Sequence, residues 1–449
     1  MNIKSITVKD FRGFENRTFE FDSKMNVVLG DNTTGKTTLL HAVQIALGAY
    51  LQAMSLIPGG KAYRRNFKQT DQVKKRSELS KSFLPDVNKP QISIVTDFYR
   101  ATFNHDTGSI NGNNIEVSWY RNSNNISRRS ASELMNAVSE MEDARRRADD
   151  TRINSIFPLM LSFGAARLDK NYKGAEKIKA RETREAKAYK CALDEQVDFK
   201  SAFNWLYRYD KNLNKSKEFE GTIDAFLEAM GKAIPALKIV EIDTKNEEFN
   251  AEIQMTKDPA PHWLTYDMMS DGFKAMINIV AEIAYRCIEL NGFLGRNAVK
   301  QTPGVVLIDE LDLYLHPHWQ QHVLADLQKA FPKFQFIVTT HSPFIVQSVD
   351  SNNIIRLDGV VSPISPSNRG IEEIMVAEMG LDVKIGSRSE KYRKKFDLAH
   401  QYYELVKAGK EGKAETEQVR KDLEQLELDA SLFHDPAFEA ALKLKRGEL

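Results

Sequence analysis

Residues 27 to 43 read VVLGDNTTGKTTLLHAV. An apolar strand runs into two glycines with four residues between them, then Lys36-Thr37, then a helix. No other stretch constrains the fold as much. A glycine turn between strand and helix lets backbone N–H groups converge at a helix N-terminus, which makes a phosphate cradle. Gly30 and Gly35 let the backbone wrap the phosphates, and Asn32, Thr33 and Thr38 lie in the same stretch. Lys36 is placed to reach the β- and γ-phosphates of ATP, and Thr37 to set its hydroxyl on Mg2+. A glycine turn that merely enters a helix would need no Lys-Thr there. The fold class expected is α/β, a mixed or parallel sheet covered by helices.

The rest of the chain is compatible with such a layer. Its 449 residues are 42% hydrophobic and 28% charged, enough for a sizeable core. The net charge of +1 argues neither for nor against nucleic acid. Cys191 and Cys287 match no metal or redox spacing and read as reduced thiols in a cytoplasmic protein. No apolar run approaches a membrane span, so neither a membrane partner nor transport is expected. The opening MNIKSITVKDFRGF alternates like a strand, here expected at a sheet edge, and lacks a signal core.

Residues 91–101 and 114–121 read as paired strands joined by a polar Asn/Gly turn. The charged residues 138–190 read as a solvated helix face or surface segment, interrupted by the apolar FPLMLSFGAARL, a core strand. Helices are expected over 198–213, 222–234, 271–291 and 319–331, and strands over 304–310 and 335–341. The last hundred residues look helical and charged.

GVVLIDE supplies the second half of the chemistry. Asp309 ends a buried strand and would hold the magnesium shell through water. Glu310 is placed to orient or deprotonate the attacking water. Residues 38 to 308 lie between the two motifs, which implies an insertion between two lobes of one nucleotide-binding domain. Upstream of the Asp-Glu strand, Ser270-Asp271-Gly272 stands before the helix starting at 271. A hydroxyl, a glycine amide and a helix N-terminus make an anion site, although Ser-Asp is also ordinary N-cap chemistry.

The order of these motifs resembles that of ABC-type ATPases of the RecF, SMC and overcoming-lysogenization-defect group. The resemblance covers residues 1 to about 45 and 262 to about 350. It implies an ABC-type head with a mid-chain α/β insertion and a mainly helical C-terminal region. The divisions expected are 1–60, 61–261, 262–360 and 361–449. It further implies that Ser270 and Gly272 form a signature closing on the nucleotide of another copy. Asp312, in ELDLYLHP, sits where such ATPases carry the D-loop, and His341, in IVTTHSP, where they carry the switch histidine. With Glu310, Lys36 and His341 would then be catalytic. FRGF resembles the start of RecF, Rad50 and SMC heads, where the arginine lies near the nucleotide, so Arg12 joins the binding residues. Gln69 and Gln72 are both candidates for the glutamine of that class. His316 and His318 read as packing or capping residues.

After residue 343 the chain lacks the strand-end Glu-Gly and the later Asp-x-Asp of a Toprim nuclease, so no nuclease is expected in it. The pattern GSRSEKYRKKF…YYELVKAGK…DPAFEAALKLKR resembles the tail of the ATPase subunits of Septu anti-phage systems. That resemblance implies homo-oligomers and a separate HNH-type nuclease subunit gated by nucleotide. The competing reading is a RecF-like repair ATPase that clamps DNA itself. Its support is the basic stretch Lys61, Arg64, Arg65, Lys68, Lys74, Lys75 and Arg76, together with ARRRADDTR. A scaffold that closes on ATP and rarely turns over is a third.

Overall fold

The computed structural model describes residues 1–31, 33–57, 63, 65–76, 83–85, 88–165, 183–194, 200–212, 220–243, 245–254, 260–359, 364–380, 398, 401, 402, 405 and 416–422. Residues Met1–Ile374 make one compact unit and Met375–Leu449 a second. The functional motifs all lie in the first.

At its centre is a five-stranded parallel sheet in the order Ile354–Arg356, Met25–Leu29, Phe334–Thr339, Gly304–Ile308, Leu159–Phe163. Every residue of the four strands inward from Ile354–Arg356 is buried. Continuous apolar runs of this kind suit a parallel sheet covered on both faces. Helix Lys36–Ala53 and helix Asp271–Asn291 provide cover and are themselves buried almost all round. Because the strands are parallel, their C-terminal ends share one edge. Thr339 stands opposite Val28, and Ile308 opposite both Val338 and Phe163. The glycine loop, Asp309-Glu310 and Thr340-His341 therefore leave the sheet side by side. Ligands of open α/β sheets bind at that edge.

A second, antiparallel sheet runs Phe14–Glu20, Asn2–Phe11, Gln91–Asn104, Ser109–Arg121, with Ile153–Ile156 also paired to Gln91–Asn104. Asn2–Phe11 is thus an interior strand, paired on both sides, and not an edge. Its alternation records that Ile3, Ile6, Val8 and Phe11 face a core; alternation reports one buried face and is silent about neighbours. The hairpin is also longer than its turn residues suggest. Asn111 and Asn114 pair with Thr102 and Tyr99 inside the ladder. The turn falls at 105–108, where the Asn104 side chain accepts from the Asp106 and Thr107 amides.

A three-stranded meander, Leu237–Asp243, Glu248–Ile253 and His262–Thr265, precedes the long helix. The helix expected over 319–331 divides into Pro317–Gln320 and Val323–Ala330. The charged region after 138 is partly internal. Helix Arg128–Arg146 buries Leu134, Val138 and Met141. Its Glu142 accepts from the Ser55 and Leu56 amides just past helix Lys36–Ala53. Arg145 pairs with Glu185 and donates to the Leu290 carbonyl. Residues 166–182 and most of the charged C-terminal region lie outside the described residues.

Candidate nucleotide site

The cradle is built from backbone conformations that side chains resist. Gly30 has φ +156° and Gly35 φ +107°. A Cβ on Gly30 would stand 2.4 Å from the Thr34 hydroxyl, and one on Gly35 2.8 Å from the Phe14 ring. Both positions therefore require glycine. Thr33, exposed, also takes a positive φ of +78°. Asn32 lies outside the described residues. Helix Lys36–Ala53 starts directly at Gly35, with no acidic residue in its first turn. The positive end of the helix therefore faces the glycine loop, an arrangement that favours an anion.

Lys36 is buried, and its ammonium donates to the carbonyls of Gly30 at 2.6 Å and Asp31 at 3.1 Å. It folds back over the loop it serves. Burial lowers its pKa, opposed by the charges of Asp309, Asp31, Glu310 and Asp312. A partly desolvated cation among carboxylates and carbonyls suits a ligand rich in anionic oxygen.

The Thr37 hydroxyl, from the start of the helix, donates to Asp309 Oδ2 at 3.0 Å. A hydroxyl and a carboxylate at this separation are hard oxygen donors, the set that magnesium accepts alongside phosphate oxygens. Among the described residues no group of three or more His, Cys, Asp or Glu could hold a metal ion. Thr37 and Asp309 fit the shared kind of site, in which nucleotide and protein hold the ion together. Thr38 is half-buried one residue further on.

Glu310 follows with φ +49°, a left-handed conformation at a non-glycine residue. Such a backbone persists only where neighbours fix it. The neighbour is Thr339, which the motif reading missed. Its hydroxyl donates to Asp309 Oδ1 at 2.5 Å and accepts from the Glu310 amide at 2.8 Å.

Asp312 turns toward the switch segment. Its Oδ1 accepts from the Thr340 hydroxyl at 2.6 Å and from the His341 amide at 3.2 Å. Gln320 carries the connection on: its Oε1 accepts from the Ser342 hydroxyl, and its amide donates to the Leu315 carbonyl. The D-loop and the switch loop are thus tied at two points. The His341 residue itself is exposed. His316 caps the short helix that follows, its ring nitrogen accepting from the His318 amide. The sequence carried no sign of these contacts, because only the pairing of Phe334–Thr339 with Gly304–Ile308 brings Thr339 to Asp309.

The remaining residues lie on other segments, although Gly272 packs on the one that holds Asp312. Ser270 is exposed at the start of helix Asp271–Asn291 and makes no side-chain cap bond. Gly272 packs so tightly on the D-loop that a Cβ would stand 2.6 Å from the Tyr314 carbonyl oxygen. Phe273 then sets its ring edge-on to Trp319, centroids 4.4 Å apart. Arg12 grips the fully buried Asp71 through two nitrogens, each at 2.8 Å. This pair holds the FRGF turn against residues 68–72, the segment that contains both candidate glutamines. Gln69 is exposed, whereas Gln72 bridges Phe11 through its backbone and donates to the Asn88 carbonyl.

The architecture is a mixed α/β fold with a glycine-loop site at the C-terminal edge of its parallel sheet, and the chain is similar to several known proteins. The retron Vc95 probable ATPase of Vibrio cholerae serotype O1 biovar El Tor is 24% identical over 94% of this chain and 86% of its own length. The Septu protein PtuA of Bacillus thuringiensis is 37% identical over 132 residues, 26% of this chain and 32% of that protein. An Smc head domain from Pyrococcus furiosus, solved with the C-terminal domain of ScpA, aligns at TM-score 0.41 and 16% identity over 79% of this chain and 93% of its own. Residues 1–346 match the model of the AAA ATPase domain, which spans both halves of the site just described, and the chain belongs to that ATPase family.

Proposed function

We propose that this chain binds Mg-ATP on the Gly30–Thr37 cradle and hydrolyses it at a composite site formed with a second copy. The hydrolysis cycle would govern a separate nuclease subunit of HNH type in defence against phage. The observation that carries the catalytic part is the contact of Thr37 with Asp309 beside the folded-back Lys36. Residues 272 positions apart in sequence meet there as a cation-binding pair next to a phosphate cradle. When bound, magnesium would neutralise charge building on the transferred phosphate. Glu310 orients water, and Lys36 and His341 stabilise the departing charge. Ser270, exposed, and Gly272, packed on the Tyr314 carbonyl, supply the half that closes on the partner's nucleotide. The Arg12–Asp71 pair is a clamp from which Arg12 would reach the nucleotide. Similarity to a Septu protein and to a retron ATPase supports the setting in phage defence.

The DNA-clamp alternative has less to stand on. Of the arginine run, Arg145 is paired with Glu185, Arg146 with Asp143 and Glu142, and Arg147 with the Asp143 carbonyl. Arg65 donates to Gln44, while Lys61 and Arg64 lie outside the described residues.

The test is a pull-down of the tagged full chain from its host, with and without ATP, scoring metal-dependent DNA cleavage in the eluate. A co-purifying nuclease whose activity responds to ATP is the expected result. Repeating it with Glu310→Gln, which should bind ATP and cut turnover at least about 100-fold, shows whether hydrolysis or closure sets the nuclease. A lone chain that holds DNA and releases it with salt would overturn the proposal in favour of a clamp.

A further inference from the structure

The motif residues leave one buried group unexplained. Thr339 is fully buried at the C-terminal end of strand Phe334–Thr339. β-Branched residues are common in strands, and valine would fill that place without a polar atom. The hydroxyl instead spends its single proton on Asp309 Oδ1 and accepts from the Glu310 amide. A hydroxyl with its proton committed has fixed lone pairs, so the two bonds define one geometry.

Each bond answers a separate need. Asp309 holds two hydroxyls on its two oxygens, Thr37 on Oδ2 and Thr339 on Oδ1. Thr37 is exposed and is also the hydroxyl that a cation would draw on, whereas Thr339 is buried and belongs to a neighbouring strand. The lasting orientation of the carboxylate therefore falls to Thr339. The second bond lands on the amide of a residue held at φ +49°. That amide would otherwise be left without this partner at the turn where the strand ends, and the left-handed backbone aims the Glu310 side chain. The Asp309 amide bonds to the Phe163 carbonyl, and the Leu311 amide to that of Thr339. Backbone bonds thus anchor the residues either side of Glu310, and a side chain anchors Glu310 itself.

We propose that Thr339 is a positioning residue of the hydrolytic site, fixing the metal-binding carboxylate of Asp309 and the backbone of Glu310 in one relation. This rests on the hydrolytic reading above. Thr340, the next hydroxyl, serves the D-loop through Asp312 and provides an internal control.

The experiment uses the full chain and its Thr339→Val, Thr339→Ser and Thr340→Val variants. Binding of a fluorescent ATP analogue is titrated with Mg2+, and single-turnover hydrolysis is timed. Thr339→Val should leave magnesium-free nucleotide affinity unchanged and raise the magnesium midpoint about 10-fold or more, the usual effect of removing a ligand's supporting bond. Hydrolysis should slow about 100-fold, the scale of losing one preorganised hydrogen bond at a reacting centre. Thr339→Ser should restore both, and Thr340→Val should leave the midpoint where it was. A wild-type midpoint and rate in Thr339→Val overturns the assignment, as does a serine variant as deficient as the valine one. Should Thr339→Val fail to fold, Thr339→Cys takes its place with the same two losses expected. Absence of hydrolysis in the wild type would remove the enzymatic reading alone, because the magnesium midpoint still decides whether Thr339 orients Asp309.

Discussion

The cradle and the signature face have opposite characters. In the cradle the functional groups are already bonded to one another: Lys36 to loop carbonyls, Thr37 to Asp309, Asp312 to Thr340. At the signature face Ser270 is exposed without a cap bond, and Met268 and Tyr314 beside it are 72% and 47% exposed. The face around Ser270 shows its polar and apolar groups to solvent. Yet the two regions touch. Gly272 rests on the Tyr314 carbonyl of the D-loop, and the D-loop is fastened to the switch loop through Asp312 and Gln320. Gly272, residues 312–320 and residues 340–342 are thus linked by direct contacts.

The largest break in this comparison is Lys36→Ala. It removes the ammonium held against the loop, and with it the charge that meets the phosphates. ATP affinity should fall about 100-fold, the worth of roughly 3 kcal/mol of charge-assisted bonding. The stability of the ligand-free protein should hardly change, since burial already disfavours that charge. Isothermal titration and a melting curve check both, and unchanged ATP affinity would refute the cradle.

Ser270→Arg tests the other half. An arginine on an exposed helix start costs the single head little, so its ATP affinity should match the wild type. A bulky cation where two copies would meet should abolish ATP-dependent dimers. Sedimentation with and without Mg-ATP in the Glu310→Gln background reads this directly. Normal dimers would mean that closure uses another face.

How much of this was legible in the sequence follows the same division. The cradle and the Asp-Glu strand announced themselves because their chemistry demands particular residues at fixed spacing. Helix 271–291 was also plain, since one long apolar helix needs no partner to be recognised. What escaped notice depended on which strands lie together. Asn2–Phe11 reads the same whether it is an edge or an interior strand. Nothing near Thr339 says that Phe334–Thr339 lies beside Gly304–Ile308, and only that adjacency gives its hydroxyl a task. Asp71, buried under Arg12, was likewise hidden, because its partner comes 59 positions earlier.

The finest test of the contact between the regions uses one substitution at two glycines. Gly272 and Gly231 each lie in a helix, and neither has the positive φ that would bar alanine. Around Gly231 nothing stands within 4 Å of an added Cβ, so Gly231→Ala should stabilise by about 0.5–1 kcal/mol through helix propensity. At Gly272 the same methyl meets the Tyr314 carbonyl at 2.6 Å, and a backbone atom cannot step aside as a side chain can. Gly272→Ala should lose that propensity gain and cost about 1–3 kcal/mol of overpacking. Melting temperatures should therefore move in opposite directions. If the D-loop is displaced as well, Gly272→Ala should slow hydrolysis while Gly231→Ala does not. Equal shifts at the two sites would mean that the signature helix and the D-loop yield to each other, and that the contact transmits nothing.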